Sequence, residues 1–282
     1  MDPVSPPLAE GVNFLTTLVK NKASLSAVCT ARSALSCKLT SYEGVTFGNT
    51  DLVKRFIKGV FESNPTFPKQ SETWDVNIVL NEIKTWTPVN NLTLKQLTLK
   101  AVMLIALLSG QRCQTMATLN IETMSLNDKR CTFFVHSLLK QTRRRVHQKP
   151  IELLAFKDEP DLCIVTTLKE YLNRTKPLRG NDTQLFISLQ KPHRGVSTDT
   201  ISRWIRDVLD TVNIDTSVFS AHSTRGASTS AAKQAKIPIK TIMDAAGWSR
   251  PTTFANFYNK AIMGSDHKNF GQAILDRFLF LF

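Results

Sequence analysis

An apolar segment, Leu92 to Leu108, constrains the fold of this chain more than any other feature. Its apolar residues lie almost all round a helix, a pattern typical of a helix buried at the centre of a domain. The longest uninterrupted apolar run within it, Ala101 to Leu108, is far shorter than the roughly 20 residues that a membrane-spanning helix needs. The segment therefore predicts a helical core, and the turn signal Ser109-Gly110 predicts where the central helix ends.

Shorter periodic segments predict that the fold is mainly α with a small antiparallel β-sheet, an α+β class. Two segments rich in Val, Ile, Phe and Leu, Cys131 to Leu139 and Val146 to Phe156, flank the basic stretch Lys140 to Arg145, which predicts a β-hairpin with a basic tip. Ser197 and Pro238 are expected to begin helices, and Gly247 to end one. Apolar spacing predicts helices over Val12–Lys20, Leu25–Leu39 and Thr50–Phe61, the last with Leu52 on its apolar stripe. It also predicts an amphipathic helix marked by Trp74, Ile78 and Trp86, and an apolar stripe from Ile201 to Val212 on the helix that Ser197 caps. The segment Ala221 to Lys236 is expected to form a helix of small residues.

The segment Asn64 to Gln70 interrupts this periodicity with two prolines, a composition typical of a linker between domains. The sequence therefore predicts a small helical domain over residues 1–68 and a larger domain over residues 72–282.

The chain is strongly basic, with 36 Lys and Arg against 23 Asp and Glu and a formal net charge of +13. This excess favours a polyanionic partner, with nucleic acid first and an anionic membrane surface second. The short apolar runs and the absence of a signal-peptide pattern after Met1 weaken the membrane alternative. The five cysteines form no Cys-x-x-Cys pair and do not cluster with histidines, so neither a metal nor another cofactor is expected.

An ordered series of residues in the last quarter of the chain suggests phosphate chemistry. His222 and Arg225, three positions apart, can face the same phosphate from one helix, and Trp248 and Tyr258 follow them. Cleavage of a DNA phosphodiester needs a nucleophile, an acid for the leaving oxygen, and cations around the phosphate, for which the arginine fork is suited. Arg112, at the end of the buried helix, and Lys140, in the predicted hairpin, are the upstream candidates.

Each of these signals also has a simpler interpretation. A His-x-x-Arg pair alone is usually a solvated helix face, Trp248 a core aromatic, and Tyr258 a half-buried one. Arg112 could cap the preceding helix, and the triplet Arg143 to Arg145 could be a solvated turn. Only the joint order of the residues raises the functional interpretation above these alternatives.

The run from His222 to Trp248 resembles the corresponding segment of the tyrosine recombinases, a family that includes Cre. The family's ordered signature of Arg, Lys, His-x-x-Arg, His or Trp, and Tyr is similar to the series in this chain, and the residues upstream of Arg112 are most similar to the recombinases of DIRS and Crypton mobile elements. The six matching residues are Arg112, Lys140, His222, Arg225, Trp248 and Tyr258.

The resemblance implies that residues 1–68 form a SAM-like, core-binding DNA-binding domain and residues 72–282 the catalytic domain. It implies that Tyr258 attacks the DNA phosphate to form a 3′-phosphotyrosyl linkage, while Arg112 and Arg225 bind the phosphate oxygens. His222 would assist proton removal or phosphate binding, Lys140 would protonate the leaving oxygen, and Trp248 would donate its indole N–H to the phosphate. The reaction would need neither a metal ion nor ATP.

The same resemblance implies double-stranded DNA as partner, a homo-tetramer on DNA with a monomer possible without it, and a nuclear location where the DNA lies. Basic residues near the hairpin are the expected DNA contacts: Arg143, Arg144, Arg145 and Lys149.

Two departures from the family stand out: Thr115 where an acidic residue commonly follows the first arginine, and a ten-residue spacing from Trp248 to Tyr258. Integration or excision of a mobile element is the expected role. The alternatives are a DNA-binding module derived from such an element without strand exchange, and an enzyme of the type IB topoisomerase kind.

Overall fold

The structure, a computed structural model, describes residues 4–65, 72–135 and 149–263 of the chain. The chain separates into two compact units, residues 1–69 and 70–282. Most of the linker predicted over Asn64 to Gln70 lies outside the described residues, as do the hairpin tip and the apolar C-terminal segment Phe278 to Phe282.

The first unit is a small helical assembly around four fully buried side chains, Leu15, Val28, Phe47 and Val53. The structure confirms the three helices predicted from apolar spacing, although their ends differ from the predicted ones. Ser24 caps the second helix by accepting from the Ala27 amide, and Thr50 precedes the third. Leu52 is 43% exposed, so its predicted place on the apolar stripe is wrong. The helices are α1 (Leu8–Lys20), α2 (Leu25–Lys38) and α3 (Asp51–Ser63).

The second unit is organised around the predicted central helix, α5 (Leu94–Ser109), which follows α4 (Val76–Thr85). Thr93 and Gln96 form a capping box at the start of α5, and Gly110 ends it in the left-handed conformation at φ 58°, as the sequence predicts. Every residue of α5 from Leu97 to Leu107 is buried. Ile78, which the amphipathic pattern predicts to face the core, is 47% exposed instead.

The predicted hairpin strands pair as expected but are shorter than predicted. Strand β3 (Arg130–Phe133) is antiparallel to β4 (Ile151–Leu154), with Phe133 opposite Ile151. A further strand, β2 (Met124–Leu126), pairs on the other side of β3 and was not predicted. The resulting three-stranded sheet confirms the mainly α class with a small antiparallel sheet.

The remaining helices pack around α5 and carry most of the candidate site residues. Ser197 caps its helix by accepting from the Thr200 amide, and Gly247 ends another in the left-handed conformation, both as predicted. Three further helices were not predicted: Cys113–Ala117 and Pro251–Phe257 are too short to show an apolar period, whereas Ile164–Thr175 buries Ile164, Leu168 and Tyr171 at helical spacing. The helices are α6 (Cys113–Ala117), α7 (Ile164–Thr175), α8 (Thr198–Thr211), α9 (Ser223–Gln234), α10 (Ile239–Ala246) and α11 (Pro251–Phe257).

A two-stranded parallel pair joins the beginning of the second unit to the segment that follows α11. Strand β1 (Glu72–Thr73) pairs with β5 (Ala261–Ile262), and the Met263 amide donates to the Thr73 carbonyl at 2.8 Å. The segment on each side of Tyr258 is thereby held at both ends, by α11 before it and β5 after it. Within the described residues, no helix combines the length and the apolar character required to span a membrane.

Candidate active site

Tyr258 and His222 meet at the point where two helices converge. His222 occupies the position before the first residue of α9, and Tyr258 the position after the last residue of α11. The His222 Nε2 atom and the Tyr258 hydroxyl are 2.9 Å apart, a hydrogen-bond distance at which either group can donate, depending on the imidazole tautomer. The structure thus brings the predicted nucleophile into direct contact with a group able to accept its proton.

Arg225 lies one turn further along α9 and is buried, with 1% of its surface exposed. Its guanidinium carbon is 4.6 Å from the centre of the Trp248 ring and 5.6 Å from that of Tyr258. One guanidinium nitrogen donates to the Ala246 carbonyl at the end of α10. The Trp248 and Tyr258 ring centres are 4.3 Å apart, so three of the predicted residues stack against one another.

Several hydrogen-bond donors at this cluster have no partner within the part of the chain that the structure describes. They are the Arg225 Nε and Nη1 groups and the Trp248 indole nitrogen, all of them buried. Buried donors in folded proteins are almost always paired, so a set of three unpaired ones indicates an acceptor that lies outside the described residues. The arrangement is suited to an anion with several oxygens.

The pKa of Arg225 is lowered to about 10, mainly by burial of its guanidinium and in addition by the nearby charge of Arg112. The nearby Tyr258 acts in the opposite direction, since an anionic form of that residue would favour the charged guanidinium. The site therefore holds two cations close together in a poorly solvated place, which an incoming anion would stabilise.

Arg112 reaches the site from the turn that ends α5. Gly110 turns the chain in its left-handed conformation, and Arg112 then occupies the position before α6. The Gln111 side chain donates to the Ala245 carbonyl at 2.8 Å, which ties this turn to the end of α10. Thr115, which stands where the family commonly has an acidic residue, is buried in α6.

The sequence did not single out Gln111 or a second contact that supports the site. Trp74 is 2% exposed, and its indole nitrogen donates to the Ser223 hydroxyl at 2.9 Å, which fixes the first turn of α9. No sequence pattern could have linked these two residues, because they are 149 positions apart. Gln111 was a candidate only through its place beside Arg112.

Most of the basic residues that the sequence predicts to contact DNA lie outside the described residues. Lys140, Arg143, Arg144 and Arg145 lie outside the described residues. Lys149, the other predicted DNA contact, precedes β4 and forms an ion pair with Asp244 of α10, with a nitrogen-to-oxygen distance of 2.8 Å. This pair joins the base of the hairpin to the helix that leads into Trp248.

Of the three tyrosines in the chain, only Tyr258 has the surroundings of a nucleophile. Tyr171 is fully buried, and burial raises its pKa to about 12, which disfavours ionisation. Tyr42 belongs to the first unit, where its hydroxyl donates to the Pro6 carbonyl at 2.8 Å. Tyr258, in contrast, is half-buried beside an imidazole and a guanidinium.

Comparison with known proteins agrees with this fold. The chain is similar to the Tn1549 transposon integrase in complex with transposon right end DNA (TM-score 0.61, 13% identity, covering 100% of this chain and 87% of that one). It is also similar to the XerH site-specific recombinase bound to a palindromic difH substrate (TM-score 0.59, 15% identity, 88% and 67% covered). A third similar structure is a lambda integrase dimer bound to a COC′ core site (TM-score 0.51, 15% identity, 94% and 83% covered).

These identities are low, so the structural likeness establishes the fold and no more. None of the curated proteins compared with the sequence matches it significantly. The family model is more specific, because the phage integrase family model matches residues 79–263, most of the second unit. This chain belongs to the phage integrase family, the tyrosine recombinases.

Proposed function

We propose that this protein cleaves and rejoins double-stranded DNA by transesterification at Tyr258. The tyrosine oxygen forms a bond to phosphorus, and the bond from phosphorus to the 5′ oxygen of the next nucleotide breaks. A 3′-phosphotyrosyl linkage and a free 5′ hydroxyl result, and attack by a 5′ hydroxyl reverses the step. Because the number and type of ester bonds are conserved, the cycle needs no ATP, and because side chains supply the positive charge, it needs no metal ion.

The observation that carries this proposal is the convergence of His222, Arg225 and Trp248 on Tyr258. A free tyrosine has a pKa near ~10 and is mostly protonated at neutral pH, so a nucleophilic tyrosine needs a proton acceptor and nearby positive charge. His222 supplies the acceptor at 2.9 Å, and the Arg225 guanidinium lies 5.6 Å from the tyrosine ring centre.

The unpaired donors of Arg225 and Trp248 support a phosphate-binding position beside Tyr258. Two oxygens would accept from Arg225 and Arg112, and a further interaction would come from the Trp248 indole N–H. Donors that are prepositioned for developing charge each contribute about 3–4 kcal/mol to lowering such barriers. Lys140, by its match to the family's lysine, would donate the proton that the 5′ leaving oxygen requires.

We propose further that the reaction joins defined DNA sites, as in the integration or excision of a mobile element, with homo-oligomers assembling on DNA up to a tetramer. The name of the similar Tn1549 transposon integrase, and the DNA bound in that and the XerH and lambda integrase structures, support this role. An enzyme of the topoisomerase kind would instead relax supercoiled DNA of any sequence as a monomer. Assays on plasmids with one, two or no candidate sites separate these two activities.

A nicked suicide substrate tests the chemistry directly. Such a DNA loses a short fragment on cleavage, which prevents rejoining and traps the covalent complex. The wild-type protein is expected to form an adduct that survives denaturant, Tyr258→Phe to form none, and the matched control Tyr42→Phe to form as much as the wild type. Equal adduct formation by Tyr258→Phe would show that another residue is the nucleophile.

A further inference from the structure

Ser230, in the second half of α9, contacts the main chain on either side of Asn259, the residue directly after Tyr258. Its hydroxyl donates to the Tyr258 carbonyl at 2.7 Å and accepts from the Lys260 amide at 3.1 Å. The residue is 4% exposed, so water has little access to either hydrogen bond. These two bonds hold the chain where α11 ends and β5 has not yet begun.

Residues of α9, together with His222 directly before it, therefore contact the hydroxyl, the ring and the backbone of Tyr258. His222, before its first turn, reaches the hydroxyl; Arg225 lies beside the ring; and Ser230 holds the backbone. A side chain that is fixed at its backbone and at its tip has little freedom left for its ring. The single helix that carries the predicted proton acceptor and the phosphate-binding arginine thus also sets the position of the predicted nucleophile.

We propose that Ser230 is a positioning residue for DNA cleavage, which fixes Tyr258 in line with the phosphate held by Arg225. The inference rests on the proposed function of Tyr258 and extends it to a residue outside the six-residue signature. Ser230 is buried and its two hydrogen bonds go to the main chain beside Tyr258, so it acts through the Tyr258 backbone. Displacement of a reacting group by about 1 Å can slow a reaction by about 100-fold, so loss of both hydrogen bonds is expected to slow cleavage by about 10- to 100-fold.

The test is single-turnover cleavage of the nicked suicide substrate by the full chain at saturating DNA. Three quantities are measured for each variant: the dissociation constant for DNA, the rate constant for adduct formation, and the fraction of protein that finally reacts. Ser230→Ala removes both hydrogen bonds, and Ser230→Thr restores a hydroxyl. Ser228→Ala is the matched control, because the Ser228 hydroxyl on the same helix donates to the Leu107 carbonyl, away from Tyr258.

Positioning predicts that Ser230→Ala lowers the rate constant about 10- to 100-fold while the dissociation constant and the reacting fraction stay at wild-type values. Ser230→Thr should recover most of the rate, and Ser228→Ala should retain it. If Ser230→Ala yields no folded protein, Ser230→Cys, which has similar size but a weak hydrogen-bonding group, is expected to give the same slow rate.

Three results would overturn the inference: a wild-type rate for Ser230→Ala (or for Ser230→Cys if that variant is used), a loss only in the reacting fraction, or an equal slowing by Ser228→Ala. The second would mean that Ser230 stabilises the fold without positioning the tyrosine. A failure of the proposed function is distinct from all three, since it would appear as adduct formation by Tyr258→Phe or as no adduct from the wild type.

Discussion

Arg225 shows what the candidate active site costs the folded protein. Burial first, and then the charge of Arg112, lowers its pKa to about 10 in the folded state. At neutral pH both the folded and the unfolded chain carry this charge, so the folded form bears the whole cost, which is relieved only as the pH rises above about 10. The shift corresponds to a penalty on the order of 3 kcal/mol, which a bound phosphate would offset.

Replacement of Arg225 by methionine is therefore expected to stabilise the DNA-free protein while it abolishes cleavage. Methionine has a similar volume, and an apolar side chain in place of a poorly compensated buried charge often stabilises by about 1–4 kcal/mol. We expect about 1 kcal/mol here, because the bond to the Ala246 carbonyl is lost. Thermal unfolding without DNA measures the first effect, and a lower Tm for Arg225→Met would contradict it.

Among the helices, the end of α5 determines where Arg112 lies. Gly110 has a φ of 58°, and a methyl group added there would meet only the Thr229 side chain, at 3.7 Å. The expected cost of Gly110→Ala is thus backbone strain, about 1–2 kcal/mol, with no steric clash. Cleavage should slow as well, because the turn carries Arg112.

Gly226→Ala is the matched control for Gly110→Ala, because it adds the same methyl group at a position without left-handed backbone strain. Gly226 lies within α9, and an added methyl group there meets nothing within 4 Å. Gly226→Ala is expected to raise the free energy of unfolding by about 0.5–1 kcal/mol, since alanine is the better helix former. Chemical denaturation measures both variants, and equal losses would show that the left-handed turn is not the cause.

Because Lys149 forms an ion pair with Asp244, we expect it to contribute less to DNA binding than the arginines of the predicted hairpin. Both side chains are substantially exposed, at 67% and 42%, so the pair itself stabilises the fold by no more than about 1 kcal/mol. Because Asp244 neutralises Lys149, we expect Lys149→Ala to change the salt dependence of DNA binding little. Arg144→Ala should reduce the slope of log K against log salt by about 1. An equal reduction by Lys149→Ala would mean that the ion pair opens on DNA.

The sequence predicted the elements with a clear apolar period or an unambiguous cap, such as α5 with Gly110 and α8 with Ser197. It missed α6 and α11 because each is too short to show a period, and β1 and β5 because two-residue strands carry no alternation. The order of the six candidate residues was visible in the sequence. The contacts of Gln111, Ser223 and Ser230 were not, because they depend on tertiary packing between distant segments.

At the scale of the whole chain, the two units differ greatly in their buried cores. The first unit has four fully buried apolar side chains, whereas in the second a continuous cluster extends from α4 through α5 to α9. Apolar burial is the dominant favourable term in folding, so the first unit has much less to offset its loss of conformational entropy.

Hydrogen exchange of the full chain is expected to show this difference. Amides of α1 to α3 should exchange at lower protection than those of α5, because a much smaller apolar core stabilises these three helices. Mass spectrometry of peptides from the two units after a series of exchange times gives the comparison. Equal protection in α2 and α5 would contradict the prediction and indicate that the chain unfolds as one cooperative body.

Identification of the residue that is joined to DNA tests the proposed role of Tyr258 most directly. The adduct trapped with the nicked suicide substrate is digested with protease and nuclease, and the modified peptide is sequenced by mass spectrometry. We expect a nucleotide attached through its 3′ phosphate to Tyr258, in the peptide that contains Phe254 and Phe257. Attachment to Tyr42, to Tyr171 or to any other residue, or attachment through a 5′ phosphate, would contradict it.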